Sequence, residues 1–137
     1  MARFTFIGLL IASILWTAVH PISSQAAELG DTWTDKFVEK DYEAALKETE
    51  GEDSENAIGI RGWSLFMLDR YGESLAVFLK LKEENEDNFD AILGEAWNSI
   101  KLGRYAVAEK ILEDAEYAGE SWQRYMVFDA LGWLEMK

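Results

Sequence analysis

Apolar residues recur three and four positions apart along most of this chain, which is the spacing of one face of a helix. Short polar turns such as Asp69-Arg70 and longer acidic loops separate these stretches. No segment alternates apolar and polar residues with a period of two, so no strand is predicted. The pattern predicts an all-α chain, with a first helix that carries Trp33, Phe37 and Val38 and further helices over 42–46, 57–68, 71–81, 89–102, 105–118 and 122–136.

Residues that favour helix ends flank several of these stretches. Ser54 or Asn56 is the predicted N-cap of the helix over 57–68, because either side chain can accept a backbone N–H bond. Gly51 and Gly119 are predicted helix stops, since glycine readily adopts the left-handed conformation that ends a helix. These signals support short helices joined by short connections.

One pattern of about 34 residues occurs twice in the middle of the chain. Residues 58–81 match residues 92–115 after a shift of 34 positions. The matched pairs are Ile58/Ile92, Gly62/Ala96, Trp63/Trp97, Tyr71/Tyr105, Ser74/Ala108, Phe78/Leu112 and Leu81/Ala115. Such a period is typical of stacked repeats, whose units bury their apolar faces only against their neighbours.

The matched residue types each have a packing role. Gly62 is small where the two helices of a pair are expected to cross. Tyr71 and Tyr105 begin the second helix of each pair and are expected to seat their rings between helices. Phe78 is expected to fill the space towards the next pair. These roles explain the repeat by packing alone.

Segments 61–78 and 96–112 resemble tetratricopeptide repeats (TPR) in their bacterial form. The resemblance implies a TPR-like α-solenoid of stacked antiparallel helix pairs, with about three repeats and a C-terminal capping helix. Two features depart from the family pattern. The proline between repeats is absent, and Asp69 stands where a turn glycine is usual.

The match continues outward with altered spacing. Tyr42 precedes Tyr71 by 29 residues, and Trp133 follows Trp97 by 36. The last helix is expected either to cap the stack or to dock on another chain. We expect one domain over residues 27–137, with a degenerate first repeat at about 31–50, repeats at about 56–88 and 90–119, and a capping or truncated repeat helix at 121–137.

The first 26 residues have the layout of a secretory signal peptide. Residues 4–19 are almost wholly apolar, and Ala26 offers a cleavage site two positions after the small Ser24. A retained membrane anchor is the alternative, but the apolar run is shorter than the roughly 20 residues that span a bilayer. The sequence thus predicts an exported protein, periplasmic in a Gram-negative bacterium or secreted, with no membrane insertion after cleavage.

Charge and missing residue types argue against several functions. The chain has 26 acidic and 13 basic residues, a net charge of −13. This charge disfavours nucleic acid and anionic membranes as partners, and it favours solubility or a cationic protein partner. The chain has no Cys, and its single His, His20, lies in the signal segment. We therefore expect no nucleophile triad, no His-based zinc site, no cofactor and no enzymatic activity.

The charged residues of the repeat region have two interpretations. The acidic loops over 49–56 and 83–90 lack the spacing of a calcium loop and are predicted to be solvated turns. Basic residues on or beside the helix pairs are expected to pair with surrounding carboxylates, with binding of a partner's carboxylate as the alternative. These basic residues are Arg61, Arg70, Lys101 and Arg104.

The TPR resemblance implies that the first helices of the pairs line a concave groove that binds a peptide. Aromatic residues are enriched at such binding surfaces. The alternative is that the tryptophan rings fill the core of a short stack. The candidate groove residues are Trp63, Phe66, Met67, Leu93, Trp97, Ile100, Lys101 and Trp133.

The expected function is that of a protein–protein interaction scaffold or adaptor in a bacterial envelope complex, with a protein or peptide partner in the groove. One alternative is a polysaccharide-binding or polysaccharide-export accessory module that uses the tryptophan row as stacking platforms. Another is a structural fragment that stacks, or forms an oligomer, through its C-terminal helix.

Overall fold

The computed structural model describes residues 32–116 and 121–136, and this part of the chain is helical without any strand. The predicted signal peptide at 1–26 and the predicted stop at Gly119 lie outside the described residues, as does the side chain of Trp122. Seven helices occur in the described part: α1 (Thr32–Val38), α2 (Tyr42–Glu48), α3 (Glu55–Met67), α4 (Tyr71–Glu84), α5 (Phe89–Lys101), α6 (Tyr105–Glu116) and α7 (Ser121–Glu135).

Three helices begin at a side chain that accepts the backbone N–H of the residue three positions later. The caps are Asp41 for α2, Ser54 for α3 and Asn88 for α5, with N···O distances of 3.2, 3.3 and 3.0 Å. Each such cap stabilises its helix by about 1 kcal/mol. Of the two residues predicted to cap α3, Ser54 is the cap, and Asn56 lies inside the helix.

The same turn joins α1 to α2, α3 to α4 and α5 to α6. Its central residue is left-handed each time: Lys40 (φ 63°), Asp69 (φ 59°) and Gly103 (φ 74°). The N–H of the next residue donates to the carbonyl five positions earlier, at 2.9, 2.9 and 2.8 Å respectively. This 6→1 bond closes the end of the preceding helix. Asp69 thus adopts the conformation that Gly103 adopts one 34-residue period later.

Each helix packs against the next one along the chain, and every odd-numbered helix also contacts the next odd-numbered helix. Contacts α1–α3, α3–α5 and α5–α7 therefore run through the molecule in sequence. One continuous apolar core, which extends from Phe37 to Ala130, fills the space between these helices. Trp33 packs against this core at its N-terminal end.

The ring of Phe78 lies between two glycines at the centre of this core. A Cβ atom at Gly62 of α3 would stand 2.6 Å from the ring, and one at Gly94 of α5 would stand 2.3 Å from it. Both distances are shorter than any carbon contact allows, so only glycine fits on either side. Phe78 of α4 is completely buried and fills the space between successive pairs, as the repeat predicted. The role of Gly94 was not predicted.

A buried chain of hydrogen bonds links the same three helices. The Ser74 hydroxyl donates to the carbonyl of Gly62 at 2.8 Å and accepts a bond from the Asn98 amide at 2.8 Å. Asn98 also donates to the carbonyl of Gly94 at 2.8 Å. Both side chains are completely buried, where a lost hydrogen bond costs about 1–3 kcal/mol. This chain specifies how α3, α4 and α5 fit together.

Two packing expectations are wrong in part. Tyr71 is partly buried, but Tyr105 is 43% exposed and therefore is not seated between helices. The loop over 83–90 is more than a solvated turn, because Asn88 and Asp90 are only 5% and 1% exposed. Asn88 donates to the carboxylate of Glu55 at 3.0 Å, which ties this loop to the start of α3.

Candidate functional site

The structure places half of the predicted groove residues in the core. Trp63, Leu93 and Ile100 are at most 1% exposed, and Trp97 is 7% exposed. These residues offer a partner almost no surface, so the expectation that they line an open groove is wrong for them. The alternative, that the tryptophan rings fill the core, describes Trp63 and largely describes Trp97.

The surroundings of Trp63 explain its burial. Its ring packs edge-on against Phe78 and Phe66, with centroids 4.8 and 5.7 Å apart. Its indole N–H donates to the buried carboxylate of Asp90 at 3.4 Å. A buried indole needs such an acceptor, because a polar group without one is costly in the core. Trp63 therefore serves α3–α5 packing.

The remaining four predicted residues reach the surface at one edge of the molecule. Phe66 and Met67 are partly buried near the C-terminal end of α3, Lys101 is exposed at the end of α5, and Trp133 is partly buried near the end of α7. The ends of α3, α5 and α7 lie close together, because Lys101 at the end of α5 contacts both Tyr71, which follows the turn after α3, and Trp133 of α7.

Ring contacts join Phe66, Lys101 and Trp133 into one surface with Tyr71. Phe66 packs edge-on against Tyr71, with centroids 5.4 Å apart. The Lys101 ammonium lies 5.9 Å from the centroid of the Tyr71 ring and 5.9 Å from that of the Trp133 ring. Trp133 packs edge-on against Trp97 at 6.3 Å. We call the surface formed by Phe66, Tyr71, Lys101 and Trp133 the aromatic–lysine patch.

Tyr71 is the member of the patch that the sequence did not predict. Its repeat position pointed to packing between helices, and its partly exposed ring also faces Lys101. The hydroxyl donates to the carboxylate of Asp69. This hydrogen bond, followed by partial burial, raises the pKa of Tyr71 to about 12. The sequence did offer one sign of this role: Tyr71 directly follows the turn after α3, and α3 ends at the same position in the repeat as α5.

Lys101 has aromatic rings as its neighbours rather than a carboxylate. In the part of the chain that the structure describes, Lys36, Arg70, Lys82 and Lys110 each lie within 4 Å of a carboxylate, and Lys101 is among the basic residues that form no ion pair. Two aromatic rings flank it instead. An ammonium beside aromatic faces is stabilised by about 0.5–1 kcal/mol per ring at exposed sites. Its three N–H donors remain able to bind an anionic group from solution.

The other candidate basic residues behave differently. Arg70 forms a two-pronged ion pair with Glu73, at 2.8 and 2.7 Å, which raises the pKa of the guanidinium and lowers that of the carboxyl. This confirms the expected surface pairing for Arg70. Arg61 donates to the carbonyls of Thr49 and Glu52 and so fastens the first acidic loop to α3. Arg104 is exposed in the turn before α6.

A shallow depression of about 330 Å³ lies along α4 and the loop after it, lined by Leu79, Lys82, Glu83 and Glu86. Within residues 32–116 and 121–136, no three acidic or imidazole side chains converge so that they could hold a metal ion. None of the described helices has the length and apolar character to cross a membrane.

Comparison with known proteins found no relative of this chain. No protein-family model matches this sequence, and no curated protein matches it. The functional assignment is therefore based on the geometry of the aromatic–lysine patch.

Proposed function

We propose that this protein is a protein–protein interaction scaffold or adaptor of an envelope complex, built as a TPR-like α-solenoid. In this proposal it binds a peptide segment of its partner across the aromatic–lysine patch. The observation that carries the proposal is the Lys101 ammonium, exposed between the rings of Tyr71 and Trp133 and without an ion pair in the described chain.

Three observations support the solenoid. The same left-handed turn occurs at Lys40, Asp69 and Gly103, with the 29- and 34-residue spacings of the repeat. Each odd-numbered helix contacts the next odd-numbered helix, which is the pattern of contacts that stacked helix pairs produce. Gly62 meets Ser74 and Phe78 where the two helices of one pair come close, and Phe78 also meets Gly94 of the next pair.

The chemistry of the patch indicates the kind of peptide. An ammonium binds a carboxylate through charge-assisted hydrogen bonds, and the flanking rings suit an apolar or aromatic side chain next to it. The chain as a whole carries a net charge of −13, which repels acidic segments and favours basic ones. The expected ligand is therefore a peptide with one carboxylate, such as its C-terminus, beside an apolar residue and otherwise neutral or basic.

The polysaccharide alternative has less support. Stacking of sugar rings needs several exposed aromatic faces, and the buried Trp63 and Trp97 leave Trp133 as the one predicted tryptophan that reaches the surface of the patch. A peptide site needs only one cation and an apolar rim. For this reason we retain the peptide function as the proposal.

A random peptide library displayed with free carboxyl ends tests the proposal. Peptides selected on the wild-type protein should bind Lys101→Gln about tenfold more weakly, because hydrogen bonds to charged groups contribute about 1.5–3 kcal/mol. The matched control is Lys80→Gln, which removes another exposed lysine, from α4, and should leave the affinity unchanged. Isothermal titration calorimetry measures each dissociation constant.

Amidation of the peptide's C-terminus adds a second, independent arm. If the carboxylate contacts Lys101, amidation weakens binding to the wild type and has no further effect on Lys101→Gln, since the two changes remove the same interaction. The proposal is wrong if no peptide is selected, or if the selected peptides bind Lys101→Gln and the wild type equally well.

A further inference from the structure

Helix α7 exposes an apolar stripe on the face opposite the core. Tyr125, Phe128 and Met136 are 77%, 50% and 76% exposed, whereas Met126, Val127 and Ala130 are buried. At about 100° per residue, positions 125, 128 and 132 fall on one side of the helix, and Met136 follows directly after its last residue. Exposed aromatic rings aligned in this way mark an interaction surface rather than a solvated face.

The stripe has a small residue at its centre. Gly132 is exposed, and a Cβ atom built there would have no atom within 4 Å. Its counterpart in α3, Gly62, is covered by the ring of Phe78. The same molecule therefore shows what such a glycine accommodates: an aromatic ring carried by an antiparallel helix. On α7 that place is vacant in the described chain, and Phe128, with its ring, lies one helical turn away.

The stripe is complementary to itself. If two copies of α7 pack antiparallel about residue 130, Phe128 of each copy lies opposite Gly132 of the other. Each ring then covers a glycine, and the arrangement occurs twice because the contact is symmetric. Tyr125 and Met136 lie towards opposite ends of the stripe, so they add apolar contact on both sides of the central pair.

The charges on α7 agree with the same pairing. Arg124 and Glu135 are exposed on one flank of the stripe, near its two ends. A twofold axis that places Phe128 over Gly132 also places Arg124 of one copy beside Glu135 of the other. Residues 121–137 contain two acidic and two basic residues, so their formal charges cancel, whereas the whole chain carries −13. This is a surface on which two acidic molecules can approach without strong repulsion.

We infer that the protein self-associates through α7 into a symmetric antiparallel dimer, in which Phe128 of each copy seats on Gly132 of the other. This inference is independent of the proposed peptide function. A 15-residue helix is about 22 Å long, so its face is smaller than the roughly 800 Å² per partner of a stable interface. The dimer is therefore weak and reversible, with a dissociation constant on the order of micromolar or above.

Sedimentation equilibrium of the full chain over a range of concentrations tests this inference. The wild-type mass should rise from monomer towards dimer as the concentration increases. Gly132→Glu should raise the midpoint concentration of this transition at least about tenfold, because the new side chain occupies the space of the other copy's Phe128 ring. Gly72→Glu is the matched control. Gly72 is an exposed helical glycine on α4 with no atom within 4 Å of an added Cβ, and its substitution should leave the midpoint unchanged.

Charge exchange tests the antiparallel register. Arg124→Glu and Glu135→Arg should each weaken the dimer, by about threefold, and the double exchange should restore it. The same register brings the two Asp129 carboxylates near each other on the other flank, so Asp129→Asn should strengthen the dimer. Far-ultraviolet circular dichroism confirms that each variant stays folded.

Several outcomes would overturn the inference. If the wild-type protein is monomeric at every concentration, the α7 stripe does not bind a second copy of this chain. Self-association that Gly132→Glu does not weaken, or that Gly72→Glu weakens equally, would place the contact elsewhere, including on the apolar residues 4–19. Failure of the double charge exchange to restore the dimer would reject the antiparallel register.

Discussion

Helices α3 and α7 carry the same dipeptide, Gly62-Trp63 and Gly132-Trp133, and the two pairs have opposite surroundings. Gly62 is pressed against the ring of Phe78, and Trp63 is completely buried with its N–H on Asp90. Gly132 faces open space, and Trp133 is partly exposed beside Lys101. The dipeptides differ in what the following helices contribute, because α4 and α5 cover both faces of α3.

The comparison shows that a repeated pattern can be buried in one copy and exposed in another. In α3 the pattern serves packing, and in α7 we propose that it serves recognition. Both proposals for this protein concern α7 for this reason: Trp133 contributes to the aromatic–lysine patch, and Gly132 lies in the self-complementary stripe. Four experiments test the contrast between the buried surroundings of α3 and the exposed face of α7.

The largest effect is expected from Phe78→Ala. The ring is completely buried between α3 and α5, so its loss should lower the free energy of unfolding by about 3–5 kcal/mol. Phe128→Ala removes the same ring from the exposed face of α7 and should cost about 0.5 kcal/mol or less in the monomer. Urea unfolding at low protein concentration measures both, and equal losses would contradict the distinction between the two regions.

The next largest effect is that the same substitution at two glycines should change the stability of the fold in opposite directions. Gly62→Ala should destabilise the fold by about 1–3 kcal/mol, because Gly94 on the other side prevents the Phe78 ring from moving away. Gly132→Ala should stabilise the monomer by about 0.5–1 kcal/mol, since alanine favours the helix and meets no neighbour. Thermal unfolding monitored by circular dichroism compares them. A destabilising Gly132→Ala would mean that another segment covers α7.

A smaller effect is expected from the buried chain of hydrogen bonds that ends at the Gly62 carbonyl. Ser74→Ala removes the acceptor of one Asn98 N–H bond and the donor to the Gly62 carbonyl, which should cost about 1–2 kcal/mol. Ser64→Ala is the control. Its hydroxyl is equally buried but has no hydrogen-bond partner among the described residues, so its removal should be nearly neutral. Urea unfolding of the two variants decides whether the hydrogen bond or the buried volume matters.

The smallest effect concerns Tyr71 and alkaline pH. The hydrogen bond to Asp69 and partial burial raise the pKa of this phenol from 10 to about 12 in the folded state. A raised pKa contributes stability that is fully present below pH 10 and is lost as the pH rises from 10 to about 12. The unfolding midpoint of the wild type should therefore fall more steeply over this interval than that of Tyr71→Phe.

Asp69→Asn provides the control for that titration. Removing the carboxylate removes the largest cause of the raised pKa, so the absorbance titration of Tyr71 should move back towards pH 10. A titration that Asp69→Asn leaves unchanged would assign the shift to burial instead. Subtracting the Tyr71→Phe spectrum isolates this phenol from the other tyrosines.

The secondary structure of the central repeats could be predicted closely. The helix predicted over 57–68 spans Glu55–Met67, and the one predicted over 89–102 spans Phe89–Lys101. Gly62 and Phe78 could be assigned as contacts because the repeat placed small and large residues at matching positions. These features depend on local periodicity and on turn residues, which single-sequence patterns contain.

The contacts between successive pairs could not be predicted in the same way. Gly94 matches Ile60 one period earlier, so the repeat gave no sign that it receives Phe78. Asp90 belongs to an acidic stretch that reads as a solvated loop, and its burial beneath Trp63 depends on how α3 and α5 pack. Tyr71 likewise joins the aromatic–lysine patch only because α5 and α7 end beside it.

The amino-acid sequence by itself determined where the helices begin and end, which turns join them, and which side of each helix is apolar, since these depend on neighbouring residues along the chain. Only the tertiary structure decided that Trp63 is core while Trp133 reaches the surface, and that Gly62 is covered while Gly132 is exposed. The physical reason is that burial depends on the elements packed against a residue, and two identical dipeptides can have different neighbours.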